Sequence, residues 1–136
     1  MTTAVDSSVL LDVFTSDATF GPRSKDAFRV CLAEGRLTAC DPVWTEVAAF
    51  FPSSAAAEAA FMNLGVEFDP ITVRTALSAA TAWRNYRSRG GKRRRFAADF
   101  LIGAHALAQA DRLLTRDRSF YRAYFSRLRV LDPSKA

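Results

Sequence analysis

The chain has 136 residues, 49% apolar and 24% charged, which suits one domain with a single core and excludes an intrinsically disordered chain. No apolar run reaches the ~18 residues of a membrane span and the first residues lack a signal-peptide pattern, so a cytoplasmic protein is expected. The net charge of +5 comes from 19 Lys and Arg against 14 Asp and Glu, and favours polyanionic partners without identifying one.

In chain order, short apolar runs alternate with longer stretches of 3.6-residue periodicity, the pattern of a parallel α/β sheet. Thr3 to Asp6 reads as the first strand, with Ser7 or Ser8 capping a helix through Phe14. Pro22 to Glu34 reads as a second helix closed by Gly35, and Leu37 to Cys40 as the second strand. Asp41-Pro42 is a helix start, an N-cap acid followed by proline at the first helical position, and that helix stops before Pro52. Ser53-Ser54 begins an alanine-rich helix ended by Gly65, followed by a third strand at Val66 to Phe68.

Asp69-Pro70 repeats the start signal and opens a helix to about Tyr86. From Arg84 to Arg95 the chain holds seven cations, two adjacent glycines and no acid, which reads as an exposed, mobile segment. Ala97 to Ala110 is a helix, Arg112 to Thr115 a fourth strand, Ser119 to Phe125 a short helix and Leu128 to Leu131 a fifth strand. The order expected is 3-2-1-4-5 in a three-layer α/β/α sandwich with a five-stranded parallel sheet, a single domain over residues 1–136.

Four acids recur at one kind of place. Asp6 follows strand one, Glu46 follows strand two, Asp99 precedes strand four and Asp117 follows it. In an open α/β sheet these positions converge at the carboxyl edge. Four carboxylates gathered there repel one another unless a cation lies among them, and oxygen-only ligation favours Mg²⁺ or Mn²⁺ over zinc. Asp99 interrupts Phe96-Ala97-Ala98 and Phe100-Leu101-Ile102, where an unpaired carboxylate is costly. Thr115 lies on the same side of an extended strand as Asp117, so its hydroxyl can orient a ligand. With the four acids set aside, 19 cations face 10 acids, and 16 of the 19 are Arg, suited to bidentate phosphate contacts. Taken singly, each acid also has an ordinary role as a cap, a turn or a solvated residue.

Three segments, Val5-Asp6-Ser7-Ser8-Val9-Leu10-Leu11, Asp99-Phe100-Leu101-Ile102-Gly103-Ala104-His105-Ala106 and Leu114-Thr115-Arg116-Asp117-Arg118-Ser119-Phe120-Tyr121, resemble the signature segments of PIN-domain ribonucleases. The resemblance is strongest to the VapC toxins of bacterial toxin–antitoxin pairs, and runs from residue 3 to Pro133. It implies a Mg²⁺- or Mn²⁺-dependent endoribonuclease acting on cellular RNA such as transfer RNA. Metal-binding acids would fall on Asp6, Glu46, Asp99 and Asp117, with supporting hydroxyls on Ser8 (or Ser7) and Thr115. It further implies a VapB-type antitoxin and a homodimer. The antitoxin's tail is expected to seek a groove at residues 42–63, where Phe50, Phe51, Phe61 and Met62 exceed one core-facing stripe.

The remaining residues are read more plainly. Lys92, Arg93, Arg94 and Arg95 are expected to contact RNA phosphates. Cys31 and Cys40 are expected to be reduced core thiols, since no CxxC pattern exists. His105, six residues after Asp99, is turned about 240° around the helix from it and is expected to be structural. Trp44 and Trp83 are assigned to the core, and Tyr86 is kept open as a base-stacking aromatic. A phosphoacceptor receiver domain would need paired acids after strand one and a lysine late in the chain, whereas Ser7-Ser8 follow Asp6 and the only late lysine is Lys135. A catalytically silent PIN-fold module that binds RNA or a partner is the alternative, and no lost acid favours it.

Overall fold

The computed structural model describes residues 1–90 and 95–135. Five parallel strands form one sheet in the order β3-β2-β1-β4-β5: β1 (Thr2–Val5), β2 (Arg36–Ala39), β3 (Val66–Phe68), β4 (Arg112–Leu114) and β5 (Val130–Leu131). Ala4 is in register with Thr38 on one side and Leu113 on the other, so β1 is central. It is also buried on both faces, which accounts for its short unbroken apolar run. Helices cover the sheet: α1 (Ser7–Phe14), α2 (Gly21–Glu34), α3 (Asp41–Ala48), α4 (Ser54–Leu64), α5 (Val73–Ser88), α6 (Ala97–Gln109) and α7 (Arg118–Tyr124). Among the described residues, no helix is long and apolar enough to cross a membrane.

Local chemistry sets most boundaries. Ser53 caps α4 by accepting from the Ala56 amide at 3.1 Å, and Gly65 ends it in the left-handed region at φ 82°. At Gly35 the chain passes so close to the Met1 carbonyl that a Cβ there would overlap it, which requires glycine between α2 and β2.

Two helix starts differ from the sequence expectation. Asp41 does not cap α3; it is the first helical residue, and its Oδ1 accepts from the Ile71 amide at 2.8 Å. Asp69-Pro70 does not open α5, which begins at Val73 with Thr72 as its cap, accepting from the Thr75 amide at 3.1 Å. The Asp69 carboxylate is drawn away by His105 Nε2 at 2.8 Å and Gln109 Nε2 at 3.2 Å, two partners remote in sequence. That contact makes His105 a buried link between α6 and the end of β3, in its expected structural role.

The core places most aromatics as expected and corrects one. Trp44 stacks on Phe61 at 3.8 Å between centroids and Trp83 stacks on Phe100 at 5.6 Å. Tyr86 is not an open platform for a base: it is buried, packed against Phe100 and Tyr124. Helix α5 therefore runs on to Ser88, and the first arginines of the basic stretch are helical. Arg87 lies over the Trp83 ring and Arg89 over Tyr124. Lys92, Arg93 and Arg94 lie outside the described residues. Cys31 and Cys40 are free, buried thiols, and burial raises the Cys40 pKa to about 12.

At the amino end of the sheet, buried Arg112 donates to Thr3 Oγ1 at 2.9 Å and pairs with Glu34 at 2.6 Å, tying β4, β1 and α2 together. Phe125 packs on α6 at Gly103, where an added Cβ would fall 2.5 Å from the Phe125 ring. Gly103→Ala is therefore expected to destabilise the fold by about 1–3 kcal/mol through overpacking. Thermal denaturation checks this, and an unchanged melting temperature would mean that Phe125 swings aside without cost.

Candidate active site at the carboxyl edge

Strands β1 and β4 are neighbours in register, so the residues just beyond their ends arrive at one place. Val5 pairs with Leu114, Asp6 follows Val5, and the Asp6 amide donates to the Leu114 carbonyl at 3.0 Å. Thr115 follows Leu114 and bridges the two acids beyond the strands. Its hydroxyl donates to Asp6 Oδ2 at 2.6 Å and accepts from the Asp117 amide at 3.0 Å. Asp6 also caps α1, its Oδ1 accepting from the Ser7 amide at 2.7 Å. It thereby takes the capping role expected of Ser7 or Ser8.

The four acids are graded from buried to exposed. Asp6 is buried, Asp99 and Asp117 are partly exposed and Glu46 is exposed. Burial pushes the Asp6 pKa up to about 6, with the charges of Asp99 and Asp117 adding to the rise, although the Thr115 and Ser7 hydrogen bonds oppose it. Asp99 sits in the first turn of α6, and its Oδ2 reaches back to the Phe96 amide at 3.3 Å. Burial also raises its pKa, and the charge of Asp117 contributes. Glu46 joins through α1, its Oε1 accepting from the Ser7 hydroxyl at 2.7 Å. Ser7 therefore makes the contact, while the Ser8 hydroxyl is buried with no hydrogen-bond partner among the described residues.

Two residues complete the site in ways the sequence reading missed. Tyr121 in α7 is buried, and its hydroxyl donates to Asp6 Oδ2 at 3.5 Å. Its pKa is driven well above the ordinary phenol value by burial and then by the carboxylates Asp6, Asp99 and Asp117. The only sequence signal for it was its place four residues after Asp117. Arg95, expected to face RNA, turns into the acids instead. Its Nη1 is 2.6 Å from Asp117 Oδ2 and 3.9 Å from Asp99 Oδ2, and its guanidinium lies 4.2 Å from the centre of the Phe120 ring.

The donors are carboxylates and hydroxyls, the set that hard divalent cations prefer. Among the described residues no three acids, thiols or imidazoles stand close enough together to form a ready metal cage. The donor types are those a hard cation takes, but in this arrangement Arg95 supplies the positive charge beside Asp117 and Asp99. A carboxylic acid whose folded pKa is raised stabilises the fold least where it is ionised. Stability from Asp6 is fullest below about pH 4 and is lost as pH rises through about 6, by on the order of 3 kcal/mol. In EDTA, Asp6→Asn is expected to raise the melting temperature at pH 7.5 and to lose that advantage at pH 4. Equal shifts at both values would mean that Asp6 is not held in an ionisation-opposing site.

The family model described as PIN domain matches residues 3–126. Among solved structures, the chain is similar to the DNA-bound VapBC2 of Rickettsia felis, with TM-score 0.76 and 12% identity over 97% of this chain and 98% of that one. It is similar to the DNA-bound VapBC of Salmonella typhimurium, with TM-score 0.74 and 12% identity over 98% of each chain. It is also similar to the sarcin–ricin-loop-cleaving toxin VapC20 of Mycobacterium tuberculosis, with TM-score 0.64 and 17% identity over 93% and 98%. At these identities the likeness is one of fold, and no curated protein matches the chain. The family match runs from β1 through α7 and carries all four acids, so the chain belongs to the PIN-domain family.

Proposed function

We propose that the chain is a Mg²⁺- or Mn²⁺-dependent endoribonuclease toxin of the VapC type, silenced by a VapB-type antitoxin. The observation that carries this reading is the convergence of Asp6, Asp99 and Asp117 beyond β1 and β4, with the Thr115 hydroxyl joining Asp6 to Asp117. VapC20, similar in fold, is a toxin that cleaves an RNA loop, which supports RNA as the substrate class. The VapBC complexes of similar fold support an antitoxin partner.

Asp6, Glu46, Asp99 and Asp117 would hold the metal. When bound, it supplies Lewis acidity to the scissile phosphate and lowers the pKa of the attacking water. The chain's own groups do the rest. Thr115 orients Asp6 through its hydroxyl, and Ser7 holds the exposed Glu46 near α1. One carboxylate accepts the proton of the attacking water. Tyr121 lines the floor beside Asp6 and keeps bulk water from it.

The alternative, a silent module that binds RNA or a partner, draws on one observation: Arg95 already pairs with Asp117. Metal-dependent turnover decides between the two. Asp99→Asn is expected to lower Mn²⁺-dependent cleavage of bulk transfer RNA by at least about a hundred-fold, with the fold intact by circular dichroism. Cleavage that survives EDTA, or that Asp99→Asn leaves unchanged, would remove the metal-quartet mechanism.

The antitoxin reading rests on charge and on an apolar face. A partner's Arg or Lys can take the role that Arg95 fills beside Asp99 and Asp117. Near residues 42–63, Phe50 and Met62 are exposed, and a cavity of about 520 Å³ opens between α3 and α4, lined by Trp44, Ala48 and Ala55. Phe61 does not contribute: it is wholly buried beneath Trp44, and Phe51 packs edge-on to Phe14. The groove is therefore narrower than the sequence suggested. Homodimerisation is part of the same proposal. In a co-purified complex, Mn²⁺ and the antitoxin are expected to compete, and Asp99→Asn to weaken the complex. A partner bound equally to wild type and variant, with metal affinity unaltered, would put the inhibitory contact elsewhere.

A further inference from the structure

Beside the acids the molecule carries a second feature of opposite sign. A cavity of about 540 Å³ opens between the start of α7 and the turn after β5, and Asp117 lines it as well as the acid cluster. Arg116, Arg118, Arg122 and Lys135 also line it, against only Asp117 and Asp132. Both of those acids are already engaged. Asp117 holds Arg95, and Asp132 Oδ1 accepts from the amide and hydroxyl of Ser134 at 2.9 and 2.6 Å.

Among the described residues, the cations divide into one fixed and three free. Arg116 is fixed: it pairs with buried Asp12 at 2.8 and 3.1 Å and its guanidinium lies 4.0 Å from the centre of the Phe20 ring. Arg118, Arg122 and Lys135 have no carboxylate within ion-pair distance among the described residues. Arg118 and Arg122 are one turn apart on α7 and so share a face. Phe120, on the opposite face of α7, is buried, which leaves the two arginines on the outward side.

We propose that this cavity is a phosphate-binding groove that holds the RNA backbone on one side of the scissile bond and leads it to Asp117. The proposal rests on the ribonuclease reading and adds to it a substrate-binding surface. The chemistry favours a nucleic-acid backbone. Guanidinium and ammonium groups not engaged by a carboxylate match phosphodiester oxygens. Arg116 covers one face of Phe20, the aromatic ring in the wall. Contacts of this kind position a strand without reading its sequence. They also supply the attraction that an acidic centre cannot give a polyanion.

The test measures binding without cleavage. A fluorescein-labelled, mixed-sequence single-stranded RNA is titrated with the full chain in EDTA, by anisotropy, across a salt series. The triple variant R118S/R122S/K135S is compared with R29S/R36S/R129S, which removes the same charge from α2, the start of β2 and the approach to β5. Loss of three phosphate contacts is expected to lower the salt slope by about 2 and to weaken binding at least about ten-fold at 0.1 M salt, with the control near wild type. A triple variant that tracks the control overturns the groove, even if the protein cleaves RNA. Polyglutamate bound as tightly as RNA through the same three residues overturns it too, in favour of an acidic peptide. Groove-dependent RNA binding without Mn²⁺-dependent cleavage keeps the groove and sinks the nuclease reading, so the two fail separately.

Discussion

Negative charge concentrated beyond the ends of β1 and β4 is the constraint around which this molecule is arranged. Asp6 is buried, and its ionised form is disfavoured by desolvation and by the charges of Asp99 and Asp117. The fold meets that cost with donors: the Ser7 amide, the Thr115 hydroxyl and the Tyr121 hydroxyl all point at its carboxylate. Arg95 balances Asp117 and approaches Asp99. Such a site is held against the fold's own stability, as functional sites often are.

The scaffold that maintains this arrangement is mainly aromatic. Trp83, Phe100, Phe120, Tyr121 and Phe125 form a chain of ring contacts running from α5 through α6 to α7. Phe120 supports the guanidinium of Arg95 from below, and Tyr121 reaches Asp6 from the adjacent position. Packing in α7 therefore sets the electrostatics of the acid cluster. The opposite end of the sheet is closed by the Arg112 network with Thr3, Cys31 and Glu34, which leaves the carboxyl edge as the open one.

The architecture was readable because its signals are local. Strands such as Val66 to Phe68 are bounded by Gly65 on one side and by Asp69-Pro70 on the other, and the expected strand order matches the sheet. The buried cysteines, the structural role of His105 and the core positions of Trp44 and Trp83 followed from composition and helical geometry. Where local signals failed, a distant residue had claimed the side chain. Asp41 and Asp69 carried good cap signatures, yet Ile71 in one case and His105 with Gln109 in the other took their carboxylates. Tyr86 looked open beside arginines because sequence neighbours do not reveal the rings of Phe100 and Tyr124 behind it.

The sequence by itself determined the α/β class and the placing of the four acids after or before strands, because periodicity and position along the chain need no knowledge of packing, whereas the strand order is set by which strands pair in the sheet. Only the tertiary structure decided which groups meet those acids. Ser7 rather than Ser8 holds Glu46, Tyr121 reaches Asp6, and Arg95 turns inward to Asp117 while Arg118, Arg122 and Lys135 are left to line a cavity. The physical reason is that a charge's partner is fixed by distance and burial. Those depend on how α1, α6 and α7 pack against one edge of the sheet, which residue spacing does not encode.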